Sequence, residues 1–365
     1  MRAWDCKFLL EKKNSLINRY NISRNDHERY QISQMIASIE SAMEYITPSN
    51  TDTEEYYFCL LQSLYDDKDI YRRFSDFLGD ITNFYTGFYY DMPLEPTPFQ
   101  EVDTSKNKVI TVTRDFFSRI KGNFGSRLLN NERNGNLRVR FERTRPDDFY
   151  EGQTFPLYGT DMTLVSVNLN KNIVDYINLI HEYGHVLNHS FYRYQMFDNN
   201  KYPLQEVAPI FFELVAGDYL TSMGFNVREL NKSYVHMFRD AVTAAGVDTI
   251  RFDLIRNRKK FDNDEEIIAY LHREFNDNVL IDFAAENVIS DNLHYVFSYL
   301  IAVELYMLYK TNHEEALNKL VRIMKVNGLK PNQYYNFIID LGITPLESMG
   351  AYLDSINRKQ IHYGR

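Results

Sequence analysis

The stretch from Ile173 to Ser190, IVDYINLIHEYGHVLNHS, constrains this chain more than any other. Ile173, Ile177, Ile180, Gly184 and Leu187 recur at three- and four-residue steps, which predicts an amphipathic helix with Asn172 as its N-cap. His181 and His185 lie one turn apart on such a helix, on the same face. Two imidazoles there reach a single Zn²⁺ at the usual Zn–N distance of about 2.0–2.1 Å. Glu182 then stands beside them, placed to take a proton from a water at the ion. The bland alternative is an exposed pair of histidines on an ordinary helix. Gly184 argues against it, because a mid-helix glycine costs about 1 kcal/mol relative to alanine and implies a packing reason. A neighbour crossing closely under the helix is such a reason.

The rest of the chain has to provide a body for that helix. Its 365 residues exceed what one small core needs, and 44% apolar with 25% charged residues is the balance of a globular protein in water. A net charge of −9 gives no indication of a nucleic-acid partner. Cys6 and Cys59 cannot form a disulfide framework and fit a reducing compartment. The opening MRAWDCKFLLEKKNSL does not read as a signal peptide, and the most apolar run, Leu293 to Leu308, contains His294, Ser298 and Glu304. The expectation is a cytoplasmic protein with no membrane partner.

Lys7 to Tyr90 reads as helical, with one apolar stripe through Ile32, Met35, Ile36 and Ile39 and a second helical region over Asp52 to Leu78. Three prolines between Asp91 and Pro98 read as a linker, dividing an N-terminal helical region, 1–95, from a catalytic domain, 96–365. Val109–Thr113, Leu137–Phe141 and Met162–Leu169 are the best strand candidates, alternating and rich in β-branched residues, and Asn134-Gly135 marks a turn. The last of these strands precedes the histidine helix. It is either an ordinary structural strand or one whose exposed edge pairs with an extended peptide. Beyond residue 200 the pattern is almost wholly helical. The fold class expected is therefore mainly α, with a small β-sheet beside the HExxH helix.

A zinc ion held by two histidines needs a third protein ligand and an open position. Leu204 to Leu220, LQEVAPIFFELVAGDYL, carries Glu206 and Glu213 seven residues apart in otherwise apolar surroundings. A buried carboxylate requires a partner. Glu206 is assigned as the third ligand, and Glu213 as the group that hydrogen-bonds a ligand histidine and fixes its tautomer. The alternative is two solvated glutamates on a surface helix. Pro209 would fall in the first turn of the helix, where proline is tolerated. Farther on, Asn292 to Tyr306 holds His294, Tyr295 and Tyr299, the two tyrosines one turn apart. Tyrosines on an apolar helix are more often core. A phenol aimed at a carbonyl oxygen would instead stabilise the charge that develops there during peptide hydrolysis.

LIHEYGHVLNH (Leu179 to His189), QEVAPIFFE (Gln205 to Glu213) and HYVFSYL (His294 to Leu300), in this order, resemble the thimet oligopeptidase and oligopeptidase F family of zinc metallopeptidases, the oligopeptidase F branch more closely. The tail from Asn327 to Asn357 matches in kind, so the resemblance runs from about Tyr150 onward. It implies a mostly helical fold around a deep substrate channel with one zinc at its floor. It also implies zinc ligation by His181, His185 and Glu206, Glu182 as general base, and Tyr295 and Tyr299 in the substrate-stabilising segment. Where the family commonly has a third histidine this chain has Asn188, followed by His189. Near Ile289 it lacks the histidine found upstream of the family's tyrosines, for which His294 is the candidate substitute. The chain is short beside family members, which carry a larger helical N-terminal region, so a more open cleft is possible. The function expected is a zinc-dependent metalloendopeptidase acting on a peptide substrate. The alternatives are a dedicated protease of one protein, and a catalytically idle relative that binds peptides or a partner protein.

Overall fold

A computed structural model describes residues 6–46, 101–143, 152–157, 162–192, 204–227, 293–326 and 334–343, with a few isolated positions between 230 and 273. The proposed second N-terminal helical region and the proline-rich linker lie outside the described residues. So does the side chain of His294. The described part is mainly helical, with nine helices and one three-stranded sheet. In chain order these are α1 (Cys6–Ile22), α2 (Asp26–Ile46), α3 (Lys106–Arg119), α4 (Phe124–Arg133), β1 (Leu137–Arg143), β2 (Gly152–Pro156), β3 (Thr163–Leu169), α5 (Val174–Tyr192), α6 (Val207–Ser222), α7 (Leu293–Thr311), α8 (His313–Lys325) and α9 (Tyr334–Asp340).

Two of the three strand expectations hold, in β1 and β3, and the third is corrected. Val109–Thr113 lies inside the helix α3. Over five residues VITVT alternates, but over fourteen the buried Val109, Val112, Thr113, Phe116 and Phe117 follow a helical stripe, and burial of that longer stripe overrides β-propensity. The expected turn at Asn134-Gly135 is present and closes α4. Gly135 is left-handed (φ 73°), and the Gly135 and Asn136 N–H groups donate to the carbonyls of Glu132 and Asn131, a Schellman ending.

Strand order is β1-β3-β2, with β1 parallel and β2 antiparallel to β3. The strand before the histidine helix is therefore the middle one. It is paired on both sides, so of the two readings left open for it the ordinary structural strand holds and the exposed edge does not. Among the described residues β2 pairs on one side only, with β3. Both sheet faces are covered. Leu137, Val139, Val165 and Val167 join the main core with α5, whereas Phe155, Leu157 and Leu164 pack with Leu9, Ile39 and Ala42 of the α1–α2 hairpin.

The core is centred on α5, which packs against α3, α4, α6, α8 and the sheet. Phe116, Phe117, Phe124 and Phe212 meet edge to face beneath it, and Phe117 stacks on Tyr183. α6 is buried from Val207 to Gly217, held between α5 and α7, and the Tyr306 hydroxyl of α7 donates to Asp218 at 2.9 Å. α8 is capped by Asn312, whose side chain accepts from the Glu315 N–H at 3.2 Å, and it buries one apolar face.

Candidate metal centre

Local sequence fixes how α5 leaves the sheet. The Asn172 side chain accepts the Val174 N–H at 2.8 Å. The buried Asp175 carboxylate accepts the N–H groups of Asn170 (2.7 Å) and Lys171 (3.0 Å), bracing the turn between β3 and the helix. Two turns on, α6 crosses α5 at Gly184. A Cβ there would lie 2.6 Å from the Cα of Pro209, so only glycine permits this approach. Pro209 itself sits in the first turn of α6.

That crossing brings Glu206 over the histidines. Glu206 occupies the N-cap of α6, and its carbonyl accepts the Ile210 N–H at 3.0 Å. Its carboxylate makes no capping hydrogen bond and turns to α5 instead. Asn188 fixes the approach to it, donating through Nδ2 to the Gln205 carbonyl at 2.8 Å. This role of Asn188 was not anticipated; the signal was a buried amide at a position where the related pattern has histidine.

His181 Nε2 and His185 Nε2 are 3.2 Å apart, and Glu206 Oε2 lies 3.4 Å from the first and 3.3 Å from the second. A tetrahedral ion with ligands at about 2.0–2.1 Å would separate neighbouring ligand atoms by about 3.3–3.4 Å. The triangle therefore has the dimensions of three corners of a zinc site. The donor chemistry agrees. His181 Nδ1 is engaged by the Glu213 carboxylate, which leaves Nε2 as the ring atom that would offer its electron pair to an ion in the triangle. Glu206 Oε2 is buried with no hydrogen-bond partner, a costly state that a cation relieves. Among the described residues, these three form the cluster able to hold an ion.

Electrostatics follow from burial and proximity. Burial pulls the His181 imidazole down, but Glu213 and Glu206 outweigh it and hold it well above its ordinary value of 6.5. For Glu206 burial pushes upward, and the two imidazoles prevail, holding it well below 4.5. Glu182 is 4% exposed. Burial raises its carboxyl despite the pull of His181, His185 and Thr154. Thr154 of β2 donates to Glu182 Oε2 at 2.6 Å. This contact was missed in the sequence, where GQTFP is too short and too bounded by glycine and proline to read as a strand.

The structure thus brings together His181, His185, Glu206, Glu182 and Glu213. Tyr299 is buried in the main core, and Tyr295 on the same helix is 39% exposed. Their helix, α7, packs on α6, which bears Glu213. The centre lies among helices none of which, in the described residues, is long and apolar enough to cross a membrane.

No protein-family model and no curated protein matches the sequence. Solved structures do match in fold. A protein from Chlamydophila abortus provisionally assigned as a peptidase has a TM-score of 0.57 at 13% identity, over 97% of this chain and 62% of that one. A provisionally assigned oligoendopeptidase F from Bacillus anthracis strain Ames matches at 0.49 and 14%, over 97% of this chain and 64% of that one. PZ peptidase A with an inhibitor matches at 0.49 and 12%, over 71% and 50%. The chain thus spans less than two thirds of the length of these structures. At 13% identity the likeness to the Chlamydophila abortus protein is one of fold alone, a mainly helical one.

Proposed function

We propose that this chain is a zinc-dependent metalloendopeptidase that hydrolyses peptide bonds in oligopeptides. The observation that carries the reading is the triangle of His181 Nε2, His185 Nε2 and Glu206 Oε2, with edges of 3.2–3.4 Å and Glu182 next to it in the chain. A zinc ion held there would act as a Lewis acid toward the scissile carbonyl and acidify a water. Glu182 takes the proton from the attacking water and returns it to the leaving amine. Glu213 keeps His181 in the tautomer that presents Nε2. Tyr299 and Tyr295 are assigned to donate to the oxygen on which charge develops.

The test is cleavage of a diverse peptide mixture by the zinc-loaded protein, read by mass spectrometry, with chelator-treated protein and Glu182→Gln in parallel. Expected is turnover that chelator abolishes and that Glu182→Gln lowers by roughly 10²–10⁴-fold. Full activity in either control contradicts the mechanism. Zinc bound one to one without turnover would instead make the chain a peptide-binding relative.

A further inference from the structure

The edge strand β2 meets the candidate base at two points. Thr154 Oγ1 lies 2.6 Å from Glu182 Oε2 and 3.2 Å from the Glu182 carbonyl oxygen. A hydroxyl has one proton to donate, and the shorter, charge-assisted contact takes it. The other carboxylate oxygen faces Gly152. A Cβ at Gly152 would lie 2.8 Å from Glu182 Oε1 and 3.0 Å from Glu182 Cγ. Gly152 does not have a positive φ, so its backbone would accept alanine, and the clearance is what calls for glycine.

Antiparallel pairing puts Gly152 opposite Val167 and Thr154 opposite Val165, and both valines belong to the core around α5. Phe155 points the other way, into the cluster with Leu9 and Ile39 of the N-terminal hairpin. β2 is therefore wedged between the α1–α2 hairpin and the helix that carries Glu182. Its depth in that wedge fixes where Thr154 and Gly152 stand.

We propose that Thr154 is a positioning residue for Glu182 and that Gly152 is the clearance completing the cradle: Thr154 pins Oε2 while the missing Cβ gives Oε1 the room to lie against the strand. This rests on reading Glu182 as the general base. Thr154 does not touch substrate; it acts by holding one of two equivalent oxygens so that the other has a single direction.

Three variants of the full chain test it, Thr154→Val, Thr154→Ser and Gly152→Ala, each zinc-loaded. For each, kcat and KM on a peptide the wild type cleaves are measured, with zinc affinity by competition against a chromophoric chelator. Expected is a fall in kcat of about ten- to a hundredfold for Thr154→Val and Gly152→Ala, the size of loss that an ångström of misplacement causes. KM and zinc affinity should stay within about twofold, and Thr154→Ser should recover most of kcat. A Thr154→Val kcat within twofold of wild type, a Thr154→Ser as impaired as Thr154→Val, or a loss that tracks zinc release would each overturn the proposal. Crystal structures of zinc-loaded wild type, Thr154→Val and Gly152→Ala supply a readout independent of turnover. The Glu182 carboxylate should shift in both variants, and an unmoved carboxylate overturns the proposal. Should the wild type cleave nothing, the peptidase reading fails, and these structures alone decide whether Thr154 holds Glu182.

Discussion

His181 has a carboxylate near each ring nitrogen, Glu213 at Nδ1 and Glu206 3.4 Å from Nε2. Without an ion the two acids, overcoming burial, push the imidazole well above 6.5 and so favour its protonated form. A metal needs the Nε2 electron pair and must displace that proton. Calorimetric titration with zinc at pH 7, in buffers of differing ionisation enthalpy, should therefore show about one proton released and affinity rising with pH. Heats independent of buffer would contradict this assignment. The same shift carries a stability sign. Because the folded value lies above the unfolded one, the protonated imidazole stabilises the zinc-free protein fully below about pH 6.5. That contribution is lost as pH rises through the folded value. Replacing Glu213 by Gln should weaken zinc binding by about 10–100-fold, measured by chelator competition. Unchanged affinity would remove Glu213 from the support of the ligand.

At the scale of elements, the crossing of α5 and α6 builds the site, and Gly184 is its tightest point. Alanine ordinarily improves a helix by about 1 kcal/mol over glycine. At this position its Cβ would sit 2.6 Å from the Cα of Pro209, backbone that cannot give way like a side chain. Gly184→Ala should therefore destabilise the protein, by about 1–3 kcal/mol of overpacking, and should weaken zinc binding by moving Glu206 off the histidines. Denaturant unfolding and zinc titration of this variant check both, and a stabilised Gly184→Ala with full affinity would refute the tight crossing. What was legible in the sequence follows the same physics. A helix announces itself over four or five turns, so α5, with its histidine spacing and its unexplained glycine, could be read at once. Glu206 and Glu213 stood out as acids in an apolar run, because burial of charge is costly. β2 could not be read: five residues between glycine and proline have no period of their own, and pairing with β3 makes them a strand. VITVT misled because a short alternation was read in isolation from the longer stripe that buries it.

For the whole molecule, the site joins three parts distant in the chain: the strand Gly152–Pro156, the helix from Val174 and the start of the helix at Val207. Zinc should accordingly stabilise the fold as a unit. Saturation at about 100 times Kd adds roughly 2.7 kcal/mol by mass action, seen as a higher Tm that chelator reverses and that His185→Ala lacks. A Tm indifferent to zinc would argue against an ion binding the folded site. The central claim is that His181, His185 and Glu206 share one ion, and the most direct test is a crystal structure of the zinc-loaded protein with anomalous data across the zinc edge. The account predicts a single zinc peak within about 2.0–2.2 Å of His181 Nε2, His185 Nε2 and a Glu206 oxygen. A zinc peak elsewhere, or none between these three side chains, would contradict it.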